Sequence, residues 1–305
     1  MGRDAHGAPP PPAGRAGEIL AVGALWLAVL AAAVATYARI DPADLYHVSG
    51  TGLAGGLSRA LVLLNFPIAL VAIAAALLAL ARLPRRAWWV GGPALALCAV
   101  TAWPGVVDQD DLDARPVNAL PAIGVALALG LALAALRDSA VAVAPRRALD
   151  PARIAVGLAT LVVSIPWLAA ELGFFLPDGL FLMRKPGLEA DGTTLPAVHL
   201  GHHHGLDGAL ILVSALLLSR SARGVGAVAG VARAYLGLAL AYGAVNATQD
   251  AWNEQLVKRG TVDWKIPSAL LPRLTPIWLV VLGLAVLCTL ALRWEETRTA
   301  GSSPG

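Results

Sequence analysis

Apolar stretches close to twenty residues long, separated by polar connections, fill almost the whole chain: about 18–38, 60–81, 87–103, 118–136, 154–176, 199–219, 225–246 and 275–293. A helix rises about 1.5 Å per residue and the hydrocarbon core of a bilayer is about 30 Å thick, so roughly twenty apolar residues cross it once. The pattern predicts an all-α fold, a polytopic transmembrane helix bundle of about eight spanning helices. The first stretch is too long for the apolar part of a secretory signal and reads as a retained helix. Ahead of it, residues 1–17 carry Pro9 to Pro12 in a row and are expected to form a disordered tail. A second tail is expected at 294–305. Between them, 18–293 reads as a single membrane domain with longer connections at about 39–59, 104–117, 177–198 and 247–274.

Charge orients this map. Lys and Arg accumulate on the cytoplasmic side of short connections. Arg82, Arg85 and Arg86 follow the second stretch; Arg137, Arg146, Arg147 and Arg153 follow the fourth; Arg220 and Arg223 follow the sixth. With Arg3 and Arg15 before the first helix and Arg293 and Arg298 after the last, all fall on one side if the chain crosses eight times. Both termini are therefore expected in the cytoplasm. The other side takes Asp41, Asp44, Asp108, Asp110, Asp111, Asp113, Asp178, Glu189, Asp191, Asp250, Glu254 and Asp263. Trp88 and Trp89 at one face, and Trp103, Trp252 and Trp264 at the other, fit interfacial belts.

Composition agrees with the pattern and narrows it. The chain is 57% apolar and only 14% charged, whereas a water-facing surface needs about a quarter charged residues. The net charge of +3 reflects the position of arginines relative to a bilayer and gives no reason to expect nucleic acid as a partner. Membrane lipid is the expected partner. Abundant Ala, Gly and Arg beside only Lys185, Lys258 and Lys265 resemble GC-rich bacterial coding, which places the protein in a bacterial plasma membrane. Cys98 and Cys288 lie in apolar runs and read as small buried hydrophobes.

Four histidines gather just before the sixth stretch, in His199-Leu-Gly-His202-His203-His204-Gly-Leu-Asp207. The clean apolar part, 208–219, is too short to span, so the helix is expected to continue backwards through the histidines. On that helix His199, His203 and Asp207 share one face at i, i+4 and i+8, with His202 beside His199. Imidazoles one turn apart are a natural pair of ligands for a divalent transition metal (Zn, Fe, Cu or Mn), and a carboxylate can ligate or orient them. The competing reading is a polar cluster that caps a helix among lipid headgroups.

Other polar groups can converge on this cluster. Tyr242, Asn246, Asp250 and Asn253 form a stripe at the end of the seventh stretch, and Asp250 is the best candidate for a further ligand or a general base. Glu171 near the end of the fifth is a carboxylate in an apolar setting, a functional candidate by default. Arg233 either snorkels to the cytoplasmic side or pairs internally. Asn65, before Pro67, marks an expected kink.

Two motifs carry less. Gly50-Thr-Gly52-Leu-Ala-Gly55 has dinucleotide-type glycine spacing, but no apolar strand precedes it; with Arg59 it can at most hold a lipid phosphate. Asp108, Asp110, Asp111 and Asp113 read as a solvated acidic loop or a cation site. Three classes follow: a membrane-embedded metal-dependent enzyme acting on a lipid or lipid-linked substrate at the extracytoplasmic face, with Asp250 and Glu171 as catalytic acids or bases; a transporter or proton-coupled carrier; and a non-catalytic subunit of a membrane complex.

Overall fold

The structure, a computed structural model, describes residues 16–108, 111–137, 146–177, 179–184, 196–201, 203–223, 226–270 and 275–301. It is all-α. The helices are α1 (Ala16–Tyr37), α2 (Gly52–Leu63), α3 (Ala69–Leu80), α4 (Trp88–Ala99), α5 (Ala119–Leu136), α6 (Asp150–Val163), α7 (Ile165–Glu171), α8 (His204–Ser219), α9 (Ala227–Trp252) and α10 (Pro276–Gly301). No strand occurs among the described residues, only a single antiparallel bridge between Arg184 and Pro196.

Among the described residues, five helical stretches are long and apolar enough to cross a membrane: Gly17–Tyr37, Gly52–Leu80, Pro116–Leu136, Ala227–Val257 and Pro276–Arg298. A sixth forms if α6 and α7, bent by 54°, count as one span. Pro166 causes that break, since it removes an N–H from the first turn of α7, while Ser164 Oγ donates to Thr160 O at 2.7 Å. The Gly52–Leu80 stretch joins α2 to α3 through a wide turn at Leu64–Ile68 that contains Asn65 and Pro67, where the kink is expected. The two remaining apolar stretches form shorter helices. α8 has 16 residues, about 24 Å of rise, and α4 has 12.

Small residues let the helices approach closely, as membrane bundles require where lipid offers no hydrophobic contrast. A Cβ on Gly208 of α8 would stand 2.7 Å from the Ala247 backbone N of α9, and one on Gly243 of α9 would stand 2.7 Å from Gly208 O. The two backbones touch, and α8 and α9 form the most extensive helix pair. α3 lies at the centre, with Val71, Ala72, Ala74, Ala76 and Ala79 fully buried.

Alternate connections gather at opposite ends of the bundle. At the arginine-rich end, Arg82 Nη2 donates to Ser221 O at 3.1 Å and Arg153 forms a two-pronged pair with Glu295 at 2.7 and 2.8 Å. Arg220 there lies 3.2 Å from Asp150 and 3.7 Å from Glu18. Arg233 pairs with Glu296 at 2.6 Å at this same end. α10 runs to Gly301, beyond the apolar stretch, and its last turns carry Glu295 and Glu296 into these pairs. At the acid-rich end, Tyr46 N donates to Leu200 O at 3.0 Å and Leu112 N to His47 O at 3.1 Å. Gln255 and the Leu182 backbone exchange two hydrogen bonds of 2.7 and 3.1 Å.

Candidate metal centre at the acid-rich end

α8 begins at His204, so no helix runs back through His199. The cause is local. Gly201 adopts φ +101°, a left-handed conformation no helix contains, and its N–H is drawn to Ala170 O at 3.2 Å. His203 is extended, at φ −141° and ψ 117°. The shared face expected for His199, His203 and Asp207 therefore does not form. His199 packs its ring against Tyr46, with centroids 4.5 Å apart. His202 lies outside the described residues, as does Asp110.

His203 instead turns towards the end of α9. That helix continues past the apolar stretch to Trp252 and through a further wide turn at Asn253–Val257, so Asp250 and Glu254 stand one turn apart. His203, Asp250 and Glu254 each offer a ligand atom, and the three atoms lie within 4.8 Å of one another. His203 Nδ1 is 3.8 Å from Glu254 Oε1.

Each member is oriented by a hydrogen bond. His203 Nε2 meets the carbonyl of His199, which can only accept, so the proton sits on Nε2 and the lone pair on Nδ1. Trp167, fully buried, donates its indole N–H to Glu254 Oε2 at 2.7 Å. The Gly205 N–H in the first turn of α8 donates to Asp250 Oδ2 at 2.8 Å. Gly205 also has to be glycine, because a Cβ there would stand 2.5 Å from Cε2 of Trp167. A histidine whose second nitrogen is bound to a carbonyl, beside carboxylates fixed by donors, is how metal ligands are commonly held. Ligand atoms around a tetrahedral first-row ion stand about 3.3 Å apart, so binding requires a modest inward closure of these side chains. Lys258 Nζ is 3.8 Å from Glu254 Oε1 and is drawn aside by the carbonyl of Ala197.

A second buried group adjoins the first. Arg59 Nε is 3.6 Å from Glu171 Oε1, with side chains only 2% and 6% exposed, and its guanidinium lies 5.5 Å from the Tyr37 ring centroid. Asp207, 3% exposed, lines the same small cavity as Arg59. Arg59 thus lies inside the bundle beside Glu171 and Asp207. The nearby acidic loop staples backbone: Asp113 Oδ2 accepts from Ser49 N at 2.9 Å, and Asp108 is 3.9 Å from Arg115.

Of the residues singled out by sequence, His203 and Asp250 come together, whereas His199, Asp207 and Glu171 occupy neighbouring positions outside the three-residue group. Asn253 is turned to the 261–270 segment, where its amide bonds Ile266 O at 3.1 Å and Ile266 N at 3.2 Å. Glu254 is the member of the group that the sequence reading missed as a candidate ligand. Its signal was present: Tyr242, Asn246, Asp250 and Glu254 follow one another at spacings of four. No protein-family model, curated protein or solved structure matches the chain, so its own chemistry carries the functional reading.

Proposed function

We propose that the chain is a multi-pass protein of a bacterial plasma membrane, crossing about eight times with both termini cytoplasmic, and that the acid-rich end faces outward. The arginines of alternate connections meeting at one end support this orientation. In this reading, α4 and α8 complete the crossings together with their flanking turns.

Within that bundle, His203, Asp250 and Glu254 hold one divalent transition metal, and the protein is a metal-dependent enzyme acting on a lipid or lipid-linked substrate at the extracytoplasmic face. The observation that carries the proposal is the convergence of a neutral imidazole and two carboxylates, each fixed by a hydrogen bond. Charge supports it. The acids Glu171, Asp207, Asp250 and Glu254 face the cations Arg59 and Lys258 among the described residues, leaving two positive charges to be supplied. One divalent ion supplies both, in a place where unpaired charge is costly. Such an ion acts as a Lewis acid towards a water or a lipid oxygen. The chain's own residues fix the ligands, exclude lipid tails from them and, through Lys258, place a second cation beside the reacting region.

The same charge deficit favours a second reading, a proton-coupled carrier in which two protons take the place of the ion. Metal content separates the two. Detergent-purified wild type is expected to carry about one equivalent of metal, lost in Glu254→Gln. A protein free of metal that moves protons with a solute in reconstituted vesicles replaces the enzyme with the carrier.

A further inference from the structure

Two cavities share a wall, and none of His203, Asp250 or Glu254 lines either of them. The larger, about 630 Å³, lies among α3, α4, α9 and α10 and is walled by apolar side chains such as Leu70, Ile73, Leu238 and Trp278. Its size falls within the roughly 300–1,000 Å³ of small-molecule sites. The smaller, about 20 Å³, has room for about one water. It is bounded by Arg59, Asn65, Asp113, Arg115, His204 and Asp207. Phe66, Val107, Asp108 and Leu270 border both.

Among the described residues, the buried polar atoms on these walls without a hydrogen-bond partner include Arg59 Nε and Asn65 Oδ1 at the smaller cavity and Thr101 Oγ1 at the larger. Arg59 Nε is compensated by its ion pair with Glu171 at 3.6 Å, whereas Asn65, 2% exposed, has no such partner. Buried polar groups are nearly always satisfied, so the Asn65 orphan on the wall of the smaller cavity points to a ligand that satisfies it. An amide oxygen accepts only, and its partner must therefore be a donor. The charges around the smaller cavity also disfavour an anion: Asp108, Asp111, Asp113 and Asp207 outnumber Arg59 and Arg115.

We propose that the paired cavities bind a single-chain amphiphile, its apolar body in the larger space and a hydroxyl or ammonium head donating to Asn65 in the smaller. The site stands whether or not a metal binds at His203. A long-chain amine, the matching alcohol and the matching fatty acid, each carrying a diazirine at the chain end, test it on wild type in lipid nanodiscs. Amine and alcohol are expected to label the cavity walls, with Leu238 and Trp278 foremost, at least tenfold above the lipid-facing Leu133 and Leu279. The fatty acid is expected not to do so. Ala99→Trp and Leu238→Trp, which fill the larger cavity from different walls, are expected to abolish this labelling. Asn65→Leu is expected to reduce amine and alcohol labelling about tenfold. Monodisperse elution identifies the variants that fold, and wild-type labelling with the three heads reads the proposal even where a variant does not. Uniform labelling along the lipid-facing helices, or a fatty acid that labels the walls as well as the amine, overturns it.

Discussion

The indole N–H of Trp167 reaches across the bundle to Oε2 of Glu254 at 2.7 Å, linking the last turn-and-a-half before the acid-rich connections to the far end of α9. The bond fixes one carboxylate oxygen and leaves the other towards His203. Trp167→Phe keeps most of the ring and removes only the donor. Loss of a partner that orients a ligand typically weakens metal binding about 10–100-fold. A Co²⁺ titration of the purified variant, followed by visible absorption, is expected to show a drop of that size in a protein that still elutes as folded.

Gly205 makes room for that indole. A Cβ there would stand 2.5 Å from Trp167 Cε2, and Trp167 is fully buried. Gly205→Ala is expected to cost about 1–3 kcal/mol, the usual range for overpacking, read as a lowered thermal unfolding midpoint. Combining it with Trp167→Leu is expected to recover part of that loss, and a fully additive double variant would refute the steric cause.

Arg59 stands beside two acids, Glu171 and Asp207, in a setting almost closed to water. Removing one member of a buried pair leaves the other charge uncompensated, at a cost of about 3–5 kcal/mol. Arg59→Met is expected to destabilise by that order, and Arg59→Met with Glu171→Gln by distinctly less. Denaturant unfolding in mixed micelles measures the difference.

At the opposite end, Arg153 and Glu295 meet through two hydrogen bonds of 2.7 and 2.8 Å, with side chains 8% and 6% exposed. Arg153→Ala is expected to destabilise by about 3 kcal/mol while leaving metal stoichiometry unchanged. The two properties belong to different ends of the bundle, and a loss of metal in this variant would contradict that separation.

Hydrophobic period and length made the helices legible, because a spanning segment must satisfy its backbone internally and cover itself with apolar side chains. Each of the apolar stretches contains a helix, and the wide turn at Leu64–Ile68 falls on Asn65 and Pro67, where the proline was expected to disturb the helix. Local breaks were harder to read. The helix expected through His199 fails at Gly201, whose positive φ is set by a hydrogen bond to Ala170, a partner distant in sequence. α9 runs past its apolar stretch because Asp250 and Glu254 bury themselves against α8 and Trp167, and polar residues near a helix end look like a loop until such partners are known. Two members of the buried group, His203 and Asp250, were thus legible as candidates, while the third, Glu254, depended on packing between distant segments.

X-ray absorption at the edge of the bound metal tests the central claim most directly. The expected first shell holds one imidazole nitrogen and carboxylate oxygens at about 2.0–2.2 Å, with the imidazole contribution lost in His203→Ala and unchanged in His199→Ala. A purified protein without metal, or a shell of two or more imidazoles that depends on His199, would contradict the assignment of His203, Asp250 and Glu254.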